Sequence, residues 1–249
     1  MLEKCKNKKK CLDHFENKVL IPVIHVADEE QVLKNIEICF NYDIKQVFLI
    51  NHSSNINYHQ LLNIGKSVKS KYPTLWLGMN FLDLNGASVF SFLKDSKDYI
   101  NGIWIDNSYV GLNIFQKKAD ELLRAWDKSN YPGLYFGGFA FKGQTQPVNL
   151  ADAAQCAVGK MDIITTSWSA TGVAADIDKI KTIRQNIGDS LLAIASGITY
   201  ENIDNYLPYV DLFLVSSGIS KDFYNFDETK VQFISEKIKQ FNLDNSLKK

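Results

Sequence analysis

The sequence predicts an α/β fold, a closed (β/α)₈ TIM barrel, on three observations. Eight short apolar segments recur along the 249 residues, and amphipathic helical stretches separate them. The segments start roughly 30 residues apart, the length of one strand–helix–strand crossover, with a shorter step of about 20 before the last. The predicted strands are Val19–His25, Gln46–Asn51, Thr74–Asn80, Gly102–Asp106, Leu134–Phe139, Asp162–Thr166, Leu191–Ala195 and Asp211–Val215. Several are unbroken apolar runs (VLIPVI, QVFLI, DLFLV), as expected of parallel strands covered on both faces. An open doubly wound sheet is disfavoured, because the first strand leads into HVADEE and not into a Gly-rich turn.

The stretches between strands have helical period. Asp28 followed by Gln31 resembles a capping box, with Val32, Leu33, Ile36 and Phe40 on one face. Ile177, Ile180, Ile183 and Ile187 form a second stripe, and Val231, Ile234, Ile238 and Phe241 a third. Lys237 and Lys239 are expected toward the end of that last helix, where they complement its dipole. No Pro-, Gly- or Ser-rich linker divides the chain, so one domain is expected over residues 1–249, opening with a short Lys-rich segment, 1–18.

Composition excludes some functions. With 45% hydrophobic and 22% charged residues the chain reads as globular. Lys plus Arg number 28 against 28 Asp plus Glu, so no global field draws the protein to nucleic acid or an acidic membrane. No apolar run approaches the length of a membrane span, and nothing at the start resembles a secretory signal. The four cysteines, Cys5, Cys11, Cys39 and Cys156, contain no C-x-x-C pair and are read as reduced, buried or half-buried thiols in a cytoplasmic protein.

In such barrels function sits at the carboxyl ends of the strands. Those ends are polar here: His25, Asn51-His52, Asn80, Asp106-Asn107, then Lys142 and Gln144 in FAFKGQ, Thr165-Thr166-Ser167, Ser196-Gly197 and Ser216-Ser217-Gly218. Turns and helix caps also use these residue types, so each residue alone says little. ASGIT (195–199) and SSGIS (216–220) each place a glycine after a buried strand and ahead of an expected helix. Glycine lets backbone N–H groups approach an anion, and a helix N-terminus adds positive partial charge. Ser196, Gly197, Ser216, Ser217 and Gly218, closed over by Thr171 and Gly172 from strand 6, are therefore read as a phosphate cup.

Asp106, His25 and Lys142 are the catalytic candidates: two acid–base groups, and an amine that pairs with an anion or forms an imine. His52 is a further acid–base candidate. Asn51, Asn80, Ser167 and Gln144 are read as substrate ligands. No metal site is expected, since two histidines on separate strands do not define one, and no cofactor is expected, since no flavin- or nicotinamide-specific feature is visible.

The second half, DIITTSWSATG (162–172), DIDKIKTIR (176–184) and LLAIASGITYENIDNYLPYVDLFLVSSGISKDF (191–223), resembles the BtpA/SgcQ family of (β/α)₈ barrels. The family's His-Leu-Pro-Leu-Pro-Gly type stretch after strand 1 is replaced here by HVADEEQ, so the chain looks like a distinct branch. The resemblance implies a barrel with an anion site and no particular reaction.

Together these readings predict an enzyme-like barrel that binds a small phosphorylated metabolite, a phosphoribosyl or other sugar phosphate. Isomerase or lyase chemistry ranks above glycosyl transfer. The alternative is a non-catalytic barrel that binds a ligand or partner in assembly or regulation. No nucleic-acid partner is expected, and a homo-oligomer is compatible with the sequence.

Overall fold

The computed structural model describes residues 15–52, 55–93, 98–168, 170 and 172–247. Eight parallel strands close into a barrel in chain order: β1 Val19–His25, β2 Gln46–Ile50, β3 Trp76–Asn80, β4 Gly102–Ile105, β5 Leu134–Gly138, β6 Ile163–Thr166, β7 Leu191–Ala195 and β8 Leu212–Val215. The barrel shuts where β1 meets β8, with Val19 beside Leu212 and Pro22 beside Val215. Each strand lies within its predicted segment, trimmed by two residues at most.

Seven α-helices cover the barrel among the described residues. They are α1 Glu29–Asn41, α2 Tyr58–Lys71, α3 Gly86–Phe92, α4 Gln116–Ser129, α5 Leu150–Ala157, α6 Ile177–Asn186 and α7 Glu228–Ser246. Asp28 caps α1 by accepting from the Gln31 N–H at 2.8 Å, as the sequence suggests. The reciprocal half of the capping box is displaced by one residue, because Gln31 Oε1 takes the Ala27 N–H. The last helix runs to Ser246, so Lys237 and Lys239 lie within it and not in its final turn. There Lys237 pairs with Asp204, and Lys239 donates to the Tyr42 carbonyl at 2.7 Å. Of the cysteines, Cys39 is buried in α1 and Cys156 is exposed on α5, contrary to its expected burial, while Cys5 and Cys11 lie outside the described residues.

The expected helix after β7 does not form. The connection is short, contains Pro208, and makes only a 3₁₀ turn, Ile203–Asn205, whose buried Ile203, Tyr206, Leu207 and Val210 cover the strand instead. After β8 another 3₁₀ turn, Ser217–Ile219, precedes a loop, and α7 starts nine residues further on at Glu228. Neither Gly197 nor Gly218 therefore leads into an α-helix, and the dipole expected at the phosphate cup is missing.

Along each strand alternate residues point inward. The inner set includes Ile21, Val23, Phe48, Ile50, Trp76, Trp104, Leu134, Phe136, Ile163, Ala193, Leu212 and Leu214, all buried. Phe48 sits edge-on to Trp76, Trp104 and Phe136, with ring centroids 5.5, 5.8 and 5.0 Å away. Glycines on neighbouring strands make room: a Cβ at Gly78 would lie 2.4 Å from the Phe48 ring, and one at Gly102 would lie 2.3 Å from Trp76. Phe15 seals the lower end, 2% exposed and edge-on to Trp76 at 5.3 Å. The segment read only as Lys-rich thus contributes a core residue.

Gly78→Ala is expected to destabilise the protein by about 1–3 kcal/mol, the range for overpacking a filled core. Part of that loss returns in Gly78→Ala/Phe48→Leu, because the smaller side chain yields the space. Urea unfolding of the two variants reads this directly. A fully stable single variant would show that the rings yield freely.

Candidate functional site

The inward alternation continues past the strand ends, so His25, His52, Asp106 and Ser216 stand one step above Val23, Ile50, Trp104 and Leu214. These eight residues, with Leu82, Lys142, Ser196 and Ser217, line a cavity of about 120 Å³ at the carboxyl end of the barrel. The apolar four form its floor and the polar groups its wall. Two further hollows share its walls. One, of about 250 Å³, includes Trp104 and Asp106; the other, of about 290 Å³, includes Lys142, Gln144, Trp168 and Lys179. A larger hollow of about 580 Å³ lies at the opposite end, lined by Phe15, Leu191, Asp211 and Phe241 among others. Its carboxylate is already committed: Asp211 binds Lys18 at 3.2 Å and Arg184 at 3.0 Å. We therefore place the candidate site at the barrel mouth, where polar groups converge.

Asp106 is held from three sides. Asn80 Nδ2 donates to its Oδ1 at 2.8 Å, Gln144 donates to its backbone carbonyl, and Gly138 packs so close that a Cβ would lie 1.8 Å from that carbonyl. Burial raises the Asp106 carboxyl above the usual carboxylate range, opposed by the Asn80 hydrogen bond and by Lys142 and His52.

Lys142 sits on a loop folded by specific ties. Its backbone N–H donates to Ser167 Oγ at 2.8 Å, and the Phe141 N–H donates to Gln144 Oε1 at 3.1 Å. Ala140 takes a left-handed conformation, φ 44°, and its carbonyl accepts from the buried Lys179, which also donates to the Ser167 carbonyl at 2.6 Å. The ammonium of Lys142 reaches Ser196 Oγ at 3.4 Å. Burial lowers its pKa, and Asp106 opposes that shift.

His25 is packed against Phe223, with ring centroids 4.2 Å apart, and His52 lies 5.2 Å away. Its Nδ1 is 3.1 Å from the Phe223 carbonyl. A carbonyl only accepts, so Nδ1 carries the proton and Nε2 is left as a base. Burial, with lesser contributions from His52 and Lys142, pushes the pKa down to about 4 against the Phe223 hydrogen bond, so the ring is neutral at physiological pH. Phe223 is held by the turn around it. Asp222 accepts from the Tyr224 and Asn225 N–H groups, and the Tyr224 carbonyl accepts from the buried Gln31 and Asn35 of α1.

The cup residues have two kinds of role. Ser196, Ser216 and Ser217 line the cavity. Gly197 and Gly218 are required by chain crossings: a Cβ at Gly197 would lie 2.2 Å from the Ala174 nitrogen, and one at Gly218 would lie 1.8 Å from the Ile198 carbonyl oxygen. Gly172 brings the strand-6 loop over Ser217, its Cβ position 3.9 Å from Ser217 Oγ. Ser196 is itself left-handed, φ 74°, a conformation disfavoured for serine that recurs at binding and catalytic sites. Thr171 lies outside the described residues.

The expected substrate ligands are engaged elsewhere. Asn51 donates to Asp83 at 2.6 Å and accepts the Leu82 N–H at 2.8 Å. Asn80, Gln144 and Ser167 hold Asp106 and the Lys142 loop, as described above. None of these four lines the central cavity; they orient the groups that do. No group of metal ligands occurs among the described residues.

Sequence reasoning missed Phe223, Trp104 and Lys179. Trp104 had a legible signal, since it lies two residues before Asp106 and so shares its inward face. Phe223 and Lys179 had none, because their contacts are made across loops.

No protein-family profile and no curated protein sequence matches the chain. Solved structures do. Tryptophan synthase subunit alpha from Legionella pneumophila str. Paris superposes with a TM-score of 0.66 at 13% identity, covering 95% of this chain and 98% of that one. Phosphoribosyl anthranilate isomerase from Thermus thermophilus gives 0.64 at 11% identity, over 89% and 98%. KDPG aldolase from Legionella pneumophila gives 0.61 at 16%, over 92% and 96%. At these identities the likeness establishes the (β/α)₈ fold alone.

Two outcomes are expected. The unfolded chain protonates His25 near 6.5 and the folded protein near 4, so stability falls as pH drops through that window. In His25→Gln the fall is shallower, read from urea midpoints at stepped pH; equal slopes would place the titration elsewhere. Lys179→Met leaves two buried carbonyls without their donor and is expected to lose about 1–3 kcal/mol, read by thermal unfolding.

Proposed function

We propose that this barrel binds a small phosphorylated metabolite of the sugar-phosphate class and acts on it by acid–base chemistry of the isomerase or lyase type. One observation carries the reading: His25, Asp106 and Lys142 line a single cavity with Ser196, Ser216 and Ser217. The serine hydroxyls donate to the phosphate, and the Lys142 ammonium supplies the positive charge that the absent helix termini do not. Neutral His25 accepts a proton at Nε2, and Asp106, with its raised pKa, donates one. Burial moves all three groups toward their neutral forms, the kind of displacement that recurs at catalytic sites.

Two likenesses support the substrate class. The 162–223 region resembles BtpA/SgcQ barrels, and one structural neighbour is named for an isomerase of a phosphoribosyl compound. Fold analogy is associational, so the weight rests on the cavity. A non-catalytic binder is the second reading, favoured by the modest central cavity and by Phe223 resting on both histidines.

Thermal unfolding with inorganic phosphate, ribose 5-phosphate, dihydroxyacetone phosphate and glyceraldehyde 3-phosphate tests the proposal. A ligand at a hundred times Kd adds about 2.7 kcal/mol, or roughly 5–10 °C for a chain of this size. Ser217→Ala is expected to lose at least half of that shift. Ser196→Gly loses it too, while its unliganded Tm stays level or rises as the left-handed strain relaxes. Solvent deuterium entering the bound compound in wild type but not in Asp106→Asn marks an enzyme. Binding with no exchange marks the binder, and no shift with any phosphate rejects both forms of the reading.

A further inference from the structure

Two features of the mouth are not accounted for by phosphate binding alone. First, the amine of Lys142 faces a cavity with an apolar floor of Val23, Ile50, Trp104 and Leu214, shared with one carboxyl group, Asp106. Second, Trp104 is 5% exposed, and its indole N–H has no hydrogen-bond partner. Buried polar groups are almost always partnered. The Trp76 N–H in the layer below is likewise unpartnered, but of the two rings only Trp104 belongs to the cavity floor, where a ligand can bring an oxygen.

We propose that Lys142 is a nucleophile that forms an imine with the aldehyde or ketone of a phosphorylated substrate, with Asp106 as the proton donor and Trp104 holding the carbonyl oxygen. This deepens the reading above and rests on it, with Lys142 acting as nucleophile in place of ion partner and the serines left to hold the phosphate. The lone pair of Nζ adds to the carbonyl carbon, and the C=O pair moves to oxygen. That oxygen takes a proton from the nitrogen, giving a carbinolamine. Asp106 then passes its proton to the hydroxyl, which leaves as water as the nitrogen lone pair closes the C=N bond. The product is an iminium cation with the Asp106 carboxylate as its counterion, so atoms and charge balance. Burial favours both starting species: it lowers the pKa of Lys142 toward the free amine and raises that of Asp106 toward the acid. Ser196 Oγ, 3.4 Å from Nζ, orients the amine.

The test is reductive trapping on the full chain. The protein is incubated with dihydroxyacetone phosphate or glyceraldehyde 3-phosphate, treated with sodium borohydride, and analysed by intact mass and peptide mapping. The expected result is one adduct per chain, at residue 142, suppressed by excess inorganic phosphate. Lys142→Arg loses that adduct, and Trp104→Phe, which keeps the ring and removes the donor, traps about tenfold more slowly. The wild-type map stands even where a variant folds poorly. Adducts spread over surface lysines, or no adduct at 142 with either compound, overturn the proposal. If those compounds still shift the Tm, Lys142 is an ion partner and the phosphate reading survives. If trapping and every phosphate-induced shift fail together, both are lost.

Discussion

Phe48, Trp76, Trp104 and Phe136 meet edge to edge inside the barrel only because β3 and β4 carry glycine at 78 and 102, where a Cβ would collide with Phe48 or Trp76. This interlock sets how deep the mouth is. Trp104 belongs both to the packed layer and to the cavity floor, so the position of the floor follows from the packing beneath it. Asp106 rides two residues above Trp104 on the same face. Its burial, and the shift in its acidity, are consequences of that register.

A second constraint is lateral. Asp106 and Lys142 stand on loops, yet each loop is tied to a neighbour by polar side chains. Asn80 and Gln144 grip Asp106. Ser167 and Lys179 join the strand-5 loop to the strand-6 loop. Gln31 and Asn35 on α1 hold the turn that lays Phe223 on His25. Buried networks of this kind hold orientation when every member is partnered. Toward this end of the barrel the Trp104 N–H and the hydroxyls of Thr165 and Thr166 are left without one among the described residues.

The fold was legible because its strands are continuous apolar runs bounded by polar residues, and a parallel barrel demands that pattern on every strand. The misread helix after β7 has a local cause, Pro208 in a short connection whose apolar residues suit a helix stripe and a 3₁₀ cover equally well. The site was legible as a set of polar strand ends but not as a division of labour. Whether Asn80 touches a ligand or Asp106 depends on which neighbour its amide reaches, and that is decided across strands. Gly197 and Gly218 look like phosphate-loop glycines in sequence, yet the chains that cross them, at Ala174 and Ile198, already require them. Phe15 and Phe223 act at long range, one under the barrel and one over it, from segments whose local composition carries no such message.

The closure of β1 on β8 has a bearing on how the molecule comes into being. The first strand is fastened to the last part of the chain by the Val19–Leu212 pairing, by Lys18 with Asp211, and by the backbone of Lys18 with the Asn242 side chain. Ser216, Ser217 and Phe223 follow the final strand. During synthesis, Asp106 and Lys142 are therefore made long before the wall that faces them exists. An unfinished chain exposes the edges of β1 and β7 and carries an incomplete pocket. The cavity takes shape at the same moment the sheet loses its last free edge, which ties chemical competence to protection from aggregation.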